Sequence, residues 1–109
     1  MVDMHKVKKK ICIIKLDGMG DVLRTTSILW YFRNDGVTWI TEKASLPLLQ
    51  HNPFIKTVIA VSDILDFGDF MFDELYNFDE DKKACLLATN IRAEKKKGYG
   101  FKNDNYFPF

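Results

Sequence analysis

The stretch from Ile11 to Leu29 restricts the fold more than any other part of the chain. Its first six residues, Ile-Cys-Ile-Ile-Lys-Leu, form a nearly unbroken apolar run rich in β-branched side chains. A strand that is apolar on both faces belongs in the middle of a parallel sheet, where crossover helices cover both sides. Asp17–Gly18–Met19–Gly20 then reads as a tight turn. Its two glycines can take positive φ and let a ligand approach the backbone closely. Residues 22–33 follow with helical spacing, placing Val22, Thr25, Leu29 and Phe32 on one face with Ile28 beside them. Strand, turn and helix in this order form the corner of an α/β domain where ligands bind, outside the carboxyl end of the strand.

The rest of the chain continues the alternation. Asn34–Asp35–Gly36 stops the helix, and Val37–Thr41 reads as a second strand. Ala44–Gln50 is a short helix ended by Asn52–Pro53, and Lys56–Val61 is a third strand. Ile64–Phe72 has no clear period and reads as a loop with one helical turn. Asp73–Phe78 is a fourth strand, Glu80–Arg92 a helix with Ala84, Leu87, Ala88 and Ile91 on one face, and Lys97–Phe101 a fifth strand. The pattern implies an α/β fold, a doubly wound, Rossmann-like parallel sheet of about five strands with right-handed crossovers. Residues 1–10 are expected to be a basic lead-in and 11–109 a single domain. Tyr99, Phe101, Tyr106, Phe107 and Phe109 crowd the end of the chain. Such an end either packs back on the domain or continues into more structure. The second reading is preferred, so the domain is expected to be incomplete at its carboxyl end.

Bulk properties exclude more than they select. With 109 residues the chain suits one domain. Its net charge of +1 singles out no nucleic-acid partner. The charge is clustered, though: Lys6, Lys8, Lys9, Lys10 and Lys95, Lys96, Lys97 are basic, whereas the segment from Asp63 to Asp81 is acidic. Solvated loops and helix ends account for this. A basic face meeting anionic lipid headgroups or a phosphorylated ligand is the alternative. Cys12 and Cys85 have no CxxC neighbour and read as small core residues of a reducing compartment. His5 and His51 stand apart from any ligand array, so no metal site is expected. No apolar run reaches the length of a signal-peptide core or a membrane span.

The chemistry is expected at the turn. A dinucleotide fingerprint would be Gly-x-Gly-x-x-Gly, but Leu23 occupies the third glycine position. Glu42, which ends the second strand, is accordingly a weak candidate for a ribose-binding acid. Asp21 stands where the N-cap is expected. A carboxylate there satisfies the free amides itself and repels phosphate. Two readings of Asp21 stay open: a cap stabilising the helix by about 0.5–2 kcal/mol, or a cleft carboxylate that accepts a proton. Arg24 reads as a solvated helix residue or as a contact for an acceptor phosphate. Trp30 and Trp39 read as packing residues. Asp79 reads as part of an acidic helix start, or as a cleft-rim residue because it too ends a parallel strand.

The stretch Ile11–Leu29 resembles the amino terminus of the family 9 glycosyltransferases, the heptosyltransferases of lipopolysaccharide synthesis, which open with an apolar strand, a turn ending Gly-Asp-Val/Ile and a helix with an early Thr. Val37–Thr41, the segment from Leu48 to Ile55 and Asn77–Phe78–Asp79 before an Ala-rich helix fit the same frame. The resemblance runs from about Lys10 onward. It departs from the family at Asp17–Gly18, where a polar pair is usual, and at Ser27, where Pro is frequent. It implies the amino-terminal half of a B-type glycosyltransferase. In it Asp21 would be the general base that takes a proton from an acceptor hydroxyl attacking the anomeric carbon of a nucleotide-activated heptose, with inversion. Gly18, Met19, Gly20, Arg24 and Thr25 would line the acceptor side. The implied partners are a glycolipid or saccharide acceptor and a missing carboxyl-terminal domain or second chain. The implied place is the cytoplasm, peripheral to the inner membrane. No cofactor is implied, and a donor of ADP-heptose type is expected only in a full-length enzyme. Because that family holds its donor in the other half, the chain by itself is expected to be inactive. The competing readings are a small nucleotide-binding module at Gly18–Gly20 and a protein-interaction module using the aromatic tail.

Overall fold

The central strand β1 (Lys10–Ile14) is fully buried from Ile11 to Ile14 and pairs in parallel on both sides, with β2 (Gly36–Thr41) and β4 (Met71–Asn77). β3 (Thr57–Ala60) joins the far side of β2 and β5 (Arg92–Lys97) the far side of β4, giving an all-parallel sheet of order β3-β2-β1-β4-β5. The computed structural model describes residues 8–16 and 18–109. The expectations placed on His5, Lys6 and Asp17 lie outside them.

Alternation along β1 divides the core in two. Ile11 and Ile13 face a cluster with Val22, Leu29, Val37, Trp39 and Leu49, covered by α1 (Met19–Thr25), the 3₁₀ segment Thr26–Phe32 and α2 (Leu46–Leu49). Cys12 and Ile14 face the opposite cluster, with Ile40, Leu75 and the Ala84, Leu87 and Ala88 side of α3 (Lys82–Asn90). Helices on both faces make the sheet doubly wound. Cys12 and Cys85 are buried, unpaired core residues, and burial pushes the Cys12 thiol up. Trp39 is fully buried, whereas Trp30 is 61% exposed and rests against Phe54 and Arg33 instead of the core.

The first helix is less regular than its apolar spacing predicts. It is α-helical only to Thr25 and continues as a 3₁₀ helix. The Thr25 and Thr26 hydroxyls donate back to the carbonyls of Asp21 and Leu23, a local competition that tends to bend helices. The ambiguous segment after β3 holds two short 3₁₀ turns, Val61–Asp63 and Phe67–Asp69. Asp66 caps the second by accepting from Gly68 N–H at 2.8 Å.

The larger correction concerns the end of the chain. The fifth strand is not Lys97–Phe101 but the charged segment Arg92–Lys97. As the edge strand of the sheet it offers few buried positions, and charge at an edge discourages pairing with other chains. Lys96 lies half-buried with its ammonium donating to the carbonyls of Ala88 and Thr89 (2.8 and 3.1 Å), at the negative end of α3. Burial lowers its pKa. The aromatic end then packs back as an antiparallel hairpin of β6 (Tyr99–Lys102) and β7 (Asn105–Pro108). Asn103 and Asp104 both take positive φ in its two-residue turn, the conformation that Asn and Asp tolerate best after Gly.

The hairpin is pinned to the domain by polar contacts. Asn77 Nδ2 donates to Tyr99 O (2.9 Å) and Phe101 N–H to Thr89 Oγ1 (2.9 Å). Gly98, at φ +101°, leads into it, and a Cβ there would lie 2.3 Å from the Asn77 carbonyl oxygen. Gly98→Ala is therefore expected to cost about 2–4 kcal/mol from backbone strain and overpacking. Chemical denaturation checks this, and a loss below about 1 kcal/mol would show that the hairpin shifts freely.

Candidate functional site

The strand order places the reversal of winding between β1 and β4. The chain leaves β1 towards α1 on one face and leaves β4 towards α3 on the other, so the two loops diverge and leave a crevice at the carboxyl ends. An open cleft of about 450 Å³ lies there, lined by Lys15, Asp21, Arg24, Thr25, Ser27 and Phe78.

α1 begins at Met19, earlier than the sequence pattern suggested. Gly18 is its N-cap at φ +77°, a conformation that favours glycine. Asp21 is therefore not the cap. It is the third residue of the helix and is 59% exposed, with its carboxylate packed near Gly18. Its carboxylate faces the Arg24 guanidinium at 3.0 Å, and both side chains line the cleft. At this exposure the pair contributes little and is readily exchanged. An acid in the first turn still opposes the positive helix end and disfavours a phosphate there. Thr25 donates its hydroxyl proton to the Asp21 carbonyl (2.7 Å), leaving its lone pairs as acceptors. Gly20 is exposed, and a Cβ there would meet nothing within 4 Å. Gly20 thus does not serve to admit a closely packed backbone. Met19 contributes backbone to the start of α1.

Lys15 lines the cleft, a role that sequence reasoning misses, and it is held there by Asp79, which that reasoning reads only as part of a helix start or as a cleft-rim residue. Asp79, two residues past β4, is 7% exposed. Its Oδ2 accepts from Leu16 N–H (2.6 Å) and its Oδ1 from the Lys15 ammonium. Asn77 Oδ1 in turn accepts from Asp79 N–H at 3.0 Å. The carboxylate thus ties the ends of β1 and β4 together and fixes Lys15 at the cleft. The sequence signals only half of this: a lysine closing an otherwise apolar strand needs a partner, and the adjacency of β1 and β4 supplies it as Asp79. Glu42 is not in the cleft. It pairs with Lys83 on α3 at 2.8 Å.

A second cavity of about 450 Å³ lies on the sheet face, lined in part by Lys9, Phe32, Glu74 and Tyr76, and shares Phe78 with the cleft. Its polar groups satisfy one another. Glu74 accepts from Lys9 (2.8 Å) and from Tyr76 (2.6 Å), and these bonds hold its carboxyl below the usual range. Burial, with Glu74 beside it, pushes the Tyr76 phenol up to about 12. Glu74 has a lower pKa folded than unfolded, so its stabilisation is full above about pH 4.5 and is lost as pH falls through the depressed value. Thermal melts from pH 6 to 2 should show a steeper loss for the native chain than for Glu74→Gln. Parallel curves would assign the acid sensitivity elsewhere.

Among the described residues no cluster of His, Cys, Asp and Glu could hold a metal ion, and no helix is long and apolar enough to cross a membrane.

No protein-family model matches the chain. It is similar to the lipopolysaccharide core heptosyltransferase OpsX of Haemophilus influenzae, with 28% identity over 107 residues, covering 86% of this chain and 31% of that protein. Its fold is that of a glycosyl transferase family 9 crystal structure from Veillonella parvula, at a TM-score of 0.72 and 21% identity, covering 84% of this chain and 32% of the other. The resemblance to the family 9 glycosyltransferases, first carried by Ile11–Leu29, holds over most of the chain and concerns the amino-terminal portion of those proteins. The chain spans about a third of the length of the relatives it matches.

Proposed function

We propose that this chain forms the acceptor side of a heptosyltransferase-like sugar transfer site, with Asp21 as the general base. The observation that carries this reading is the exposed Asp21 carboxylate, which lines the crevice at the reversal of winding. Asp21 would take the proton of an acceptor hydroxyl as that oxygen forms its bond to the anomeric carbon of a nucleotide-activated heptose, the nucleoside diphosphate departing from the opposite face. The product is then inverted. Arg24 and Lys15 would meet anionic groups of a lipopolysaccharide-core-type acceptor, and Thr25 would accept a hydrogen bond from a sugar hydroxyl.

The donor would be held by a structural part corresponding to the remainder of the relatives, and the chain by itself would not turn over, since the rate depends on holding both reactants together. Contact with the cytoplasmic face of the inner membrane would follow from a glycolipid acceptor. The test is a chimaera in which this chain replaces the matching amino-terminal third of the Haemophilus influenzae protein. It is assayed with ADP-heptose and a core acceptor beside the isolated chain. Transfer by the chimaera and none by the isolated chain is the expected result. Turnover by the isolated chain would overturn the divided-site reading. An inactive but folded chimaera, together with tight binding of NAD by the isolated chain, would favour a nucleotide-binding module instead.

A further inference from the structure

A third cavity opens beside the loop that borders the cleft. Phe78 lines the cleft, and two residues later Glu80 lines a cavity of about 300 Å³ with Tyr99 and Tyr106. Between them, the buried Asp79 anchors the loop to Lys15 and Leu16. Tyr99 and Tyr106 come from facing strands of the β6–β7 hairpin. Since Tyr99 pairs with Pro108 and Phe101 with Tyr106, the two tyrosines are diagonal neighbours on one face, about 7–8 Å apart along the backbone. Both residues are about half exposed, at 44% and 52%.

We infer that Glu80, Tyr99 and Tyr106 form a saccharide-binding subsite. The apolar C–H face of a pyranose packs on an aromatic ring, while its hydroxyls need acceptors at the rim. Two tyrosines offer the apolar surface with polar tips, and the Glu80 carboxylate accepts paired hydrogen bonds from neighbouring sugar hydroxyls. The hairpin backbone and the Tyr106 ring are held in place before any ligand arrives. Asn77 fixes the Tyr99 carbonyl, Thr89 fixes the amide of Phe101, and Phe101 braces Tyr106 edge to face at 4.8 Å. A pre-ordered platform loses little entropy on binding. An anionic ligand is disfavoured by Glu80. The subsite depends on the reading of the Asp21 cleft only for its assignment to a more distant sugar unit of the same acceptor.

The experiment is a titration of the full 109-residue chain with deacylated lipopolysaccharide core oligosaccharide, followed by NMR shift mapping. The expected result is perturbation of Glu80, Tyr99 and Tyr106 together with Thr25 and Ser27. Glu80→Gln and Tyr106→Ala should each weaken binding roughly tenfold. Glu80 is an exposed loop side chain, so Glu80→Gln carries the test should Tyr106→Ala disturb the hairpin. Shifts confined to Thr25 and Ser27 would overturn the subsite and leave the acceptor cleft standing. Shifts confined to the hairpin would support the subsite and count against that cleft. Preference for tetramethylammonium over the oligosaccharide would reassign the cluster to cation binding. A dimer that dissociates with Tyr106→Ala, without any oligosaccharide shift, would reassign it to contact between copies. Either of these last two results overturns the inference.

Discussion

Asp79→Ala is expected to destabilise the domain by about 3–5 kcal/mol, the loss typical of removing one partner from a buried ion pair. The Lys15 and Asp79 side chains are only 13% and 6% exposed, so water cannot readily replace the missing carboxylate. The substitution strands the Lys15 ammonium and also leaves Leu16 N–H without its acceptor. Each stranded group bears its own desolvation cost. Lys15→Met removes the ammonium and keeps the Leu16 bond. Urea denaturation of both single variants and the double variant should therefore be non-additive, with a coupling of about 1–3 kcal/mol. Additive losses would show that the two groups are stabilised independently. An Asp79→Ala loss below about 1 kcal/mol would mean that the strand ends do not depend on this carboxylate.

The parts of the fold legible in the sequence are those with a strong, short-range signature. β1 is continuous and β-branched, so it could only be a central parallel strand, and it is. Val22, Leu29 and the half-buried Ile28 and Phe32 keep their predicted face although the helix changes type after Thr25. The face survives because burial depends on which side chains reach the sheet, whereas the hydrogen-bond pattern responds to local competition by Thr25 and Thr26. β5 was misplaced because an edge strand of arginine and lysines carries no apolar alternation. The more aromatic segment after it belongs to a hairpin packed on α3. The turn of that hairpin was legible in Asn103–Asp104, a pair suited to two successive positive φ values, yet the aromatics around it drew the reading towards a strand of the main sheet. At the site, the family resemblance groups Asp21, Arg24 and Thr25, whereas helical spacing puts Thr25 on the core face; it lines the cleft instead. Lys15 and Asp79 could be paired only by knowing that β1 and β4 are neighbours, a long-range fact that no local pattern contains.

In the chimaera, Asp21→Asn is expected to lower kcat by about 10²–10⁴-fold, the usual contribution of a positioned general base. The amide keeps the shape of the carboxylate but cannot accept the proton of the attacking hydroxyl. The acceptor KM should change little, because the lost interaction forms as the proton moves and not in the bound ground state. Stability separates this role from a structural one. At 59% exposure, in the first turn of a seven-residue helix, Asp21 has few contacts whose loss could unfold the domain. Its favourable position near the helix amino end is worth only about 0.3–1 kcal/mol. A purely helix-stabilising Asp21 therefore predicts a slightly lower melting temperature with transfer intact, whereas a base predicts the reverse pattern, a near-native melt with transfer almost abolished. Arg24→Ala sharpens the distinction. It releases Asp21 from its ion pair without removing the carboxylate, so a base should survive it with kcat within about tenfold while acceptor binding weakens. Equal losses for Asp21→Asn and Arg24→Ala would instead assign the pair a shared positioning role and place the proton acceptor elsewhere in the cleft.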